Sequence, residues 1–433
     1  MVMDYSLIYL LAIVMVLLLY MRRHKRIERH HVAEREHAIA AGLAEPQSLH
    51  PIVDPLRCIG SGSCAKACPE NAIGIINGKA VLTNGAHCIG HGACLTACPV
   101  EAIKLVFGTE KRGVDIPNVN PQFETNVPGI FIAGELGGMG LIRKAAEQGR
   151  QAMGSINERK LAVNADFDVL IVGSGPAGLS AGLAAIEHGL KYKLVEQEDS
   201  LGGSVYHYPR NKIAMTAPVK LALVGTIKMG EIQKEKLLEF WQGVVAKTGL
   251  EVSFRECMER IEKRDDGSFV VHTDKGQYSA RSVLLAIGRR GTPRKLQVPG
   301  EETSKVVYRL IDAEQYRGMA VLVVGGGDSA LEAAIALAEQ PDTQVILSYR
   351  SAAFARVKAK NRLRLEEQER AGHLRVMLES EVVSIQSKTV TLAWRGANED
   401  LPNDAVIVCA GGVLPTPLLQ KIGIQFDTKH GAA

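Results

Sequence analysis

Read by its apolar and polar positions, the chain opens on residues 5–21, an apolar and uncharged run, followed at once by Arg22-Arg23-His24-Lys25-Arg26. Such a run predicts a helix apolar on all sides, at the short end of the ~17–25 residues that span a bilayer. Tyr5, Tyr9 and Tyr20 stand near its ends, where aromatic rings favour the interface. The basic cluster places the following chain on the cytoplasmic side, giving a single-pass inner-membrane protein. A secretory signal fits less well, because no positive segment precedes the run and no small-residue cleavage site closes it. A buried core helix is the ordinary alternative. Residues 22–44 read as a charged helix stopped by Pro46, either a stalk or a solvated surface helix.

Farther on the pattern changes to short β-branched runs alternating with helical ones. Asp168-Val-Leu-Ile-Val-Gly-Ser-Gly-Pro-Ala-Gly178 is a strand ending in Gly173, a turn through Gly175, Pro176 and Ala177, and a helix opening at Gly178. That spacing gives a tight turn, a close backbone approach to a pyrophosphate and close helix–strand packing, with the phosphate charge at the helix N-terminus. A second strand, Tyr192-Lys-Leu-Val195, ends at Glu196, where a carboxylate takes ribose hydroxyls. Gly202 and Gly203 keep the next loop close to such a ligand. A second fingerprint follows the strand Val321-Leu-Val-Val324: Gly325-Gly326-Gly327-Asp328-Ser329-Ala330. The strand after it ends in Ser348-Tyr349-Arg350, with Arg356 and Lys358 beyond and no acid where a 2′-hydroxyl wants one. Cations there accommodate a 2′-phosphate, which favours NADPH over NADH; a solvated basic loop is the alternative.

A chain of 433 residues with a net charge of +4 holds several domains and gives no argument for nucleic acid. Of its 8 cysteines, all but Cys257 and Cys409 fall in two clusters. That usage points to metal rather than to a disulfide scaffold. Cys58-Ile-Gly-Ser-Gly-Ser-Cys64-Ala-Lys-Ala-Cys68-Pro69 is repeated as Cys88-Ile-Gly-His-Gly-Ala-Cys94-Leu-Thr-Ala-Cys98-Pro99.

Residues 51–107 thus resemble the bacterial two-cluster ferredoxins, in which the last cysteine of each run serves the other cluster. The resemblance implies one cluster on Cys58, Cys64 and Cys98 and another on Cys88, Cys94 and Cys68. The second cysteine of each run is replaced, by Ser61 and by His91. Three thiolates suit a [3Fe–4S] cluster; the fourth iron of a [4Fe–4S] cluster would take Ser61, His91 or water. Neutral imidazole in place of thiolate should raise the potential. A degenerate domain without metal, or a zinc site, are the competing readings; zinc wants four ligands at closer spacing.

Asn126-Val-Pro-Gly-Ile-Phe-Ile-Ala-Gly-Glu135, followed by a helical pattern over 141–156, is similar to the motif that closes the FAD domain of thioredoxin-reductase-like flavoproteins. There it stands at the C-terminus; here Gly134 and Glu135 precede the first glycine fingerprint, and the chain's last residues stop where the motif would follow. From residue 127 onward the chain therefore resembles a circularly permuted member of that family. It lacks the family's C-x-x-C, the corresponding stretch being Tyr308-Arg-Leu-Ile-Asp312, and so is closer to the ferredoxin–NADP reductase and bacillithiol-disulfide-reductase-like groups.

The fold expected is α/β: two Rossmann-like domains, a small α+β ferredoxin domain and an N-terminal transmembrane helix. The boundaries are 1–21 anchor, 22–50 stalk, 51–107 ferredoxin-like, 108–160 displaced closing segment, 161–293 FAD domain, 294–403 NAD(P)H domain and 404–433 return to the FAD domain. The resemblance implies a membrane-anchored NAD(P)H oxidoreductase passing electrons through FAD to iron–sulfur clusters and an unknown protein or quinone, or running in reverse. The alternatives are a reductase of a small disulfide or quinone acting at the flavin, and a non-enzymatic electron-carrier subunit. A homodimer is an admissible assembly. No general acid or base is identifiable from the residues.

Overall fold

The computed structural model describes residues 6–40, 44–46, 49–88, 90–109, 113–138, 140–159, 163–208, 213–215, 218–289, 291–354, 357, 359–413 and 415–431. The chain forms two compact units, one built mainly of residues 1–114 and the other mainly of 115–428.

The smaller unit begins with one continuous helix, Ser6–Ala40, of 35 residues. The apolar and the charged patterns of the sequence therefore share a single element. The charged part is not a free stalk: Ile75 N–H donates to His31 Nδ1 at 3.0 Å and Asn77 N–H to Glu28. Ala38 is buried against Ala86. The expected span at 5–21, and with it a single-pass location in the inner membrane with the catalytic part in the cytoplasm, is overturned. Among the described residues no helix is long and apolar enough to cross a membrane.

Two antiparallel hairpin-like pairs form the body of this unit. His50–Val53 pairs with Ile103–Val106, and Ile73–Ile76 with Lys79–Leu82. Each cysteine run leads into a short helix, Ser63–Ala67 or Ala93–Thr96. Ile73, Ile75, Ala80 and Ile103 make a small core around Cys58, Cys64 and Cys94.

The larger unit is built on one mixed and one parallel sheet. In the first, Phe167–Val172 lies between Tyr192–Val195 and the long strand Gly276–Leu285. Val169, Leu170 and Ile171 are fully buried, as expected of a strand covered on both faces. The first half of Gly276–Leu285 pairs with the hairpin strand Phe269–Thr273. Its second half takes Ile130–Ile132 in parallel, with Leu284 opposite Phe131. The segment before the glycine fingerprint in sequence thus enters the same sheet as the fingerprint's own strand. The chain's late residues return beside it: Asn126 donates to Gly423 O at 2.9 Å and accepts from Gln425 N–H at 2.8 Å. The second sheet runs Val306–Val307, Ala405–Val408, Ala320–Val324, Gln344–Tyr349 and Leu374–Leu378, all parallel.

Candidate dinucleotide and iron–sulfur sites

The first fingerprint forms a cradle at the end of Phe167–Val172. Gly173 has φ +101°, and a Cβ there would stand 2.6 Å from Ala286 O. A Cβ on Gly178 would overlap the Gly173 carbonyl, so strand and helix approach more closely than any side chain permits. Pro176 opens the helix Pro176–Glu187 with no side-chain cap, leaving its first amides to an anion. Gly203 packs against Gly175, which brings the Gly202–Gly203 turn over the loop. Ala177 is buried under it.

Glu196 lies at the loop as expected, but its carboxylate is also structural. It accepts from Ser174 N–H at 2.6 Å, Ser174 Oγ at 2.9 Å and Glu198 N–H at 3.0 Å, at 5% exposure. These three bonds fix its orientation and leave lone pairs for a ribose hydroxyl.

Gly134 and Glu135 are brought to this cradle from their displaced place in the chain. A Cβ on Gly134 would sit 3.0 Å from Ala177 Cβ, and one on Gly288 3.7 Å from Glu135 Oε2. Three participants carry no motif of their own. Gln148 Oε1 accepts from Gly134 N–H at 2.9 Å. Gly149 is pressed so closely on Ala177 that a Cβ would overlap its carbonyl, which locks helix Ile142–Glu158 onto helix Pro176–Glu187. Arg289 is half-buried; burial lowers its pKa, while Glu135 and Asp115 favour its charge. The 3.6-residue spacing of the helix over 142–158 is the one signal that put Gln148 on the face of Ala145 and Ala152.

The second fingerprint repeats the arrangement. Gly325 has φ +147° and follows Ala320–Val324; Gly327 caps helix Asp328–Ala338, which contains Ser329 and buried Ala330. Asp328 and Glu332 both accept from the buried Asn361 amide, at 2.8 and 3.2 Å. Tyr349 packs over Gly326 and stacks on Phe354, ring centroids 5.5 Å apart. Arg350 stands beside it and is exposed. Arg356 lies outside the described residues.

In the smaller unit, Cys58, Cys64 and Cys98 ring a cavity of ≈ 290 Å³, mouth included, with Gly60, Ser61 and Gly62 in its wall. The cysteines that come together are thus from both runs. Backbone N–H groups point at the sulfurs: Ala80 at Cys58 and Ala72 at Cys68, both 3.4 Å, and Ala102 at Cys98, 3.2 Å. Burial raises the thiol of Cys94, with the charges of Cys88 and Cys68 adding to it, to about 11. Cys88 is raised by burial, then by Cys68 and Glu70. The charges of Cys88, Cys68 and Cys64 thus all act on Cys94. Among the described residues no three His, Cys, Asp or Glu side chains close on one point as around a single ion. Thiols spread around a cavity, each met by an N–H, fit a multi-iron cluster.

The family model described as pyridine nucleotide-disulphide oxidoreductase matches residues 170–432, and that described as a 4Fe-4S dicluster domain matches 50–99. A ferredoxin–NADP reductase of Metallosphaera sedula is 31% identical over 180 residues, 40% of this chain and 51% of that protein. The match therefore spans about half of that relative. Bacilliredoxin reductase Bdr of Bacillus subtilis is 26% identical over 269 residues, 60% of this chain and 82% of the relative. The solved bacillithiol disulfide reductase Bdr of Bacillus cereus superposes with a TM-score of 0.53 at 25% identity, covering 60% of this chain and 82% of its own. With more than half its length matched by that model, and with the two glycine cradles and the thiol-lined cavity in place, the chain belongs to the pyridine nucleotide-disulphide oxidoreductase family and carries a 4Fe-4S dicluster domain.

Proposed function

We propose that this protein moves electrons between NADPH and an iron–sulfur partner or a quinone, through FAD and the clusters of its own ferredoxin domain. FAD supplies the conversion between two-electron hydride chemistry and single-electron transfer. The chain's residues hold and orient. The 173–178 cradle and the helix start at Pro176 take the FAD pyrophosphate, Glu196 its ribose, and Glu135, Gln148 and Arg289 border the place of the flavin ring. Gly325 to Ala330 take the NADPH pyrophosphate, and Arg350, with Arg356, the 2′-phosphate. Cys58, Cys64 and Cys98 hold one cluster and Cys88, Cys94 and Cys68 the other. We divide the chain as 51–107 ferredoxin domain, 108–160 displaced closing segment, 161–293 and 404–433 FAD domain, and 294–403 NADPH domain.

The observation that carries this reading is the cavity ringed by thiols of both runs, in a chain that also carries two dinucleotide cradles. The ferredoxin–NADP reductase relative names the same pairing of chemistries. A second reading, reduction of a small disulfide at the flavin, is favoured by the bacilliredoxin reductase relative. The two separate on the double variant Cys58→Ala/Cys88→Ala. NADPH should still bleach its flavin, while reduction of a one-electron protein acceptor such as cytochrome c should be lost. Undiminished cytochrome c reduction would place the exit at the flavin and favour the second reading.

A further inference from the structure

The glycines flanking the two replaced positions share one backbone conformation, yet the residues replacing the missing thiols differ in surroundings. Gly60 and Gly90 have φ of +67° and +73°, and Gly62 and Gly92 of +73° and +82°. Ser61 and His91 thus each stand between two left-handed glycines, at the same place in their runs. Ser61 lines the cavity of Cys58, Cys64 and Cys98; His91 holds the corresponding place between Cys88 and Cys94 in the second run. Ser61 is exposed, and its hydroxyl is occupied locally: it donates to Ser63 Oγ at 3.3 Å and accepts from Ser63 N–H at 3.5 Å. His91 is half-buried, and its Nε2 is buried with no hydrogen-bond partner among the described residues. Native proteins seldom leave a buried ring nitrogen without a partner.

Resting on the two-cluster reading above, we infer that His91 Nε2 is the fourth ligand of the second cluster, and that the first cluster has no fourth protein ligand. The iron corner beside Ser61 is then an exchangeable site that takes water or, in its place, a small thiolate. The orphaned nitrogen is recovered by a metal bond, as neutral imidazole commonly is. The exposed serine leaves its corner to solvent. The two clusters of one domain thereby differ in kind: one is closed by protein, the other open to a ligand from outside.

The test uses the full chain, purified anaerobically and reduced with dithionite, examined by pulsed EPR. The wild type should show a nitrogen coupling well above that of backbone amides. His91→Ala should lose it and shift the second cluster to the three-iron form; His91→Cys should lose it and keep four irons. Ferricyanide should strip iron from the first cluster only, ferrous ion should restore it, and Ser61→Cys should block the loss. Ser61→Ala should leave every spectrum unchanged, and added 2-mercaptoethanol should perturb the first cluster alone. A wild type without strong nitrogen coupling overturns the inference whatever the variants do, as does a spectral change in Ser61→Ala. Iron and sulfide at background would overturn the two-cluster reading itself, and this inference with it; clusters present without nitrogen coupling would overturn only this one.

Discussion

At the scale of single residues, the flavin cradle depends on contacts with no slack. Gly149 has no room for a methyl group against the Ala177 carbonyl. Gly149→Ala should therefore cost about 1–3 kcal/mol by overpacking, seen as a lower Tm and loss of bound flavin at 450 nm. Glu196→Ala leaves the amides of Ser174 and Glu198 without their acceptor, at about 1–3 kcal/mol each, and should yield largely flavin-free protein. An unchanged flavin content in either variant would contradict the geometry described. For Cys94 the sign runs upward: burial lifts its thiol from 9.0 to about 11. In iron-free folded protein its thiolate fraction near pH 8 should thus be about 100-fold below that of the unfolded chain. Alkylation with iodoacetamide, mapped by mass spectrometry, should find Cys94 slow until the pH passes 10. Glycines and cysteines were legible in the sequence because their spacing is their function. Gln148, Gly149, Ser174 and Arg289 were not, because their roles come from contacts across the fold: Gly149 against Ala177, and Arg289 beside Glu135.

At the scale of elements, the strand Ile130–Ile132 carries the permuted reading. Its register along Gly276–Leu285 and the Val283 N–H bond to Gly129 O at 3.0 Å make it an internal part of the flavin sheet. Its amides should exchange with solvent as slowly as those of Phe167–Val172, in one cooperative unit, when followed by hydrogen exchange and mass spectrometry. Exchange at the rate of exposed loops would remove it from the sheet. The strand was announced by the likeness of residues 126–135 to the closing motif of thioredoxin-reductase-like flavoproteins. Helix Ser6–Ala40 was misread for the opposite reason. Hydropathy separates residues 5–21 from 22–44, but backbone hydrogen bonding does not stop at a change of polarity, and neither Gly nor Pro interrupts the run before Ala40. The contacts of Glu28 and His31 with the Ile73–Ile76 hairpin follow from spatial neighbours that no periodicity encodes.

At the scale of the whole molecule, the chain joins a unit of one mixed and one parallel sheet, each carrying a glycine cradle, to a domain with two cysteine runs. The family assignment rests on residues 170–432 and 50–99. The central claim is that electrons from NADPH reach the clusters. The measurement that tests it most directly is an anaerobic NADPH titration of the full chain, followed by optical and EPR spectra on the same samples. The account predicts bleaching of the flavin band together with the appearance of reduced-cluster signals, both scaling with NADPH added. Flavin bleaching with cluster signals that appear only on dithionite, and never with NADPH, would contradict it.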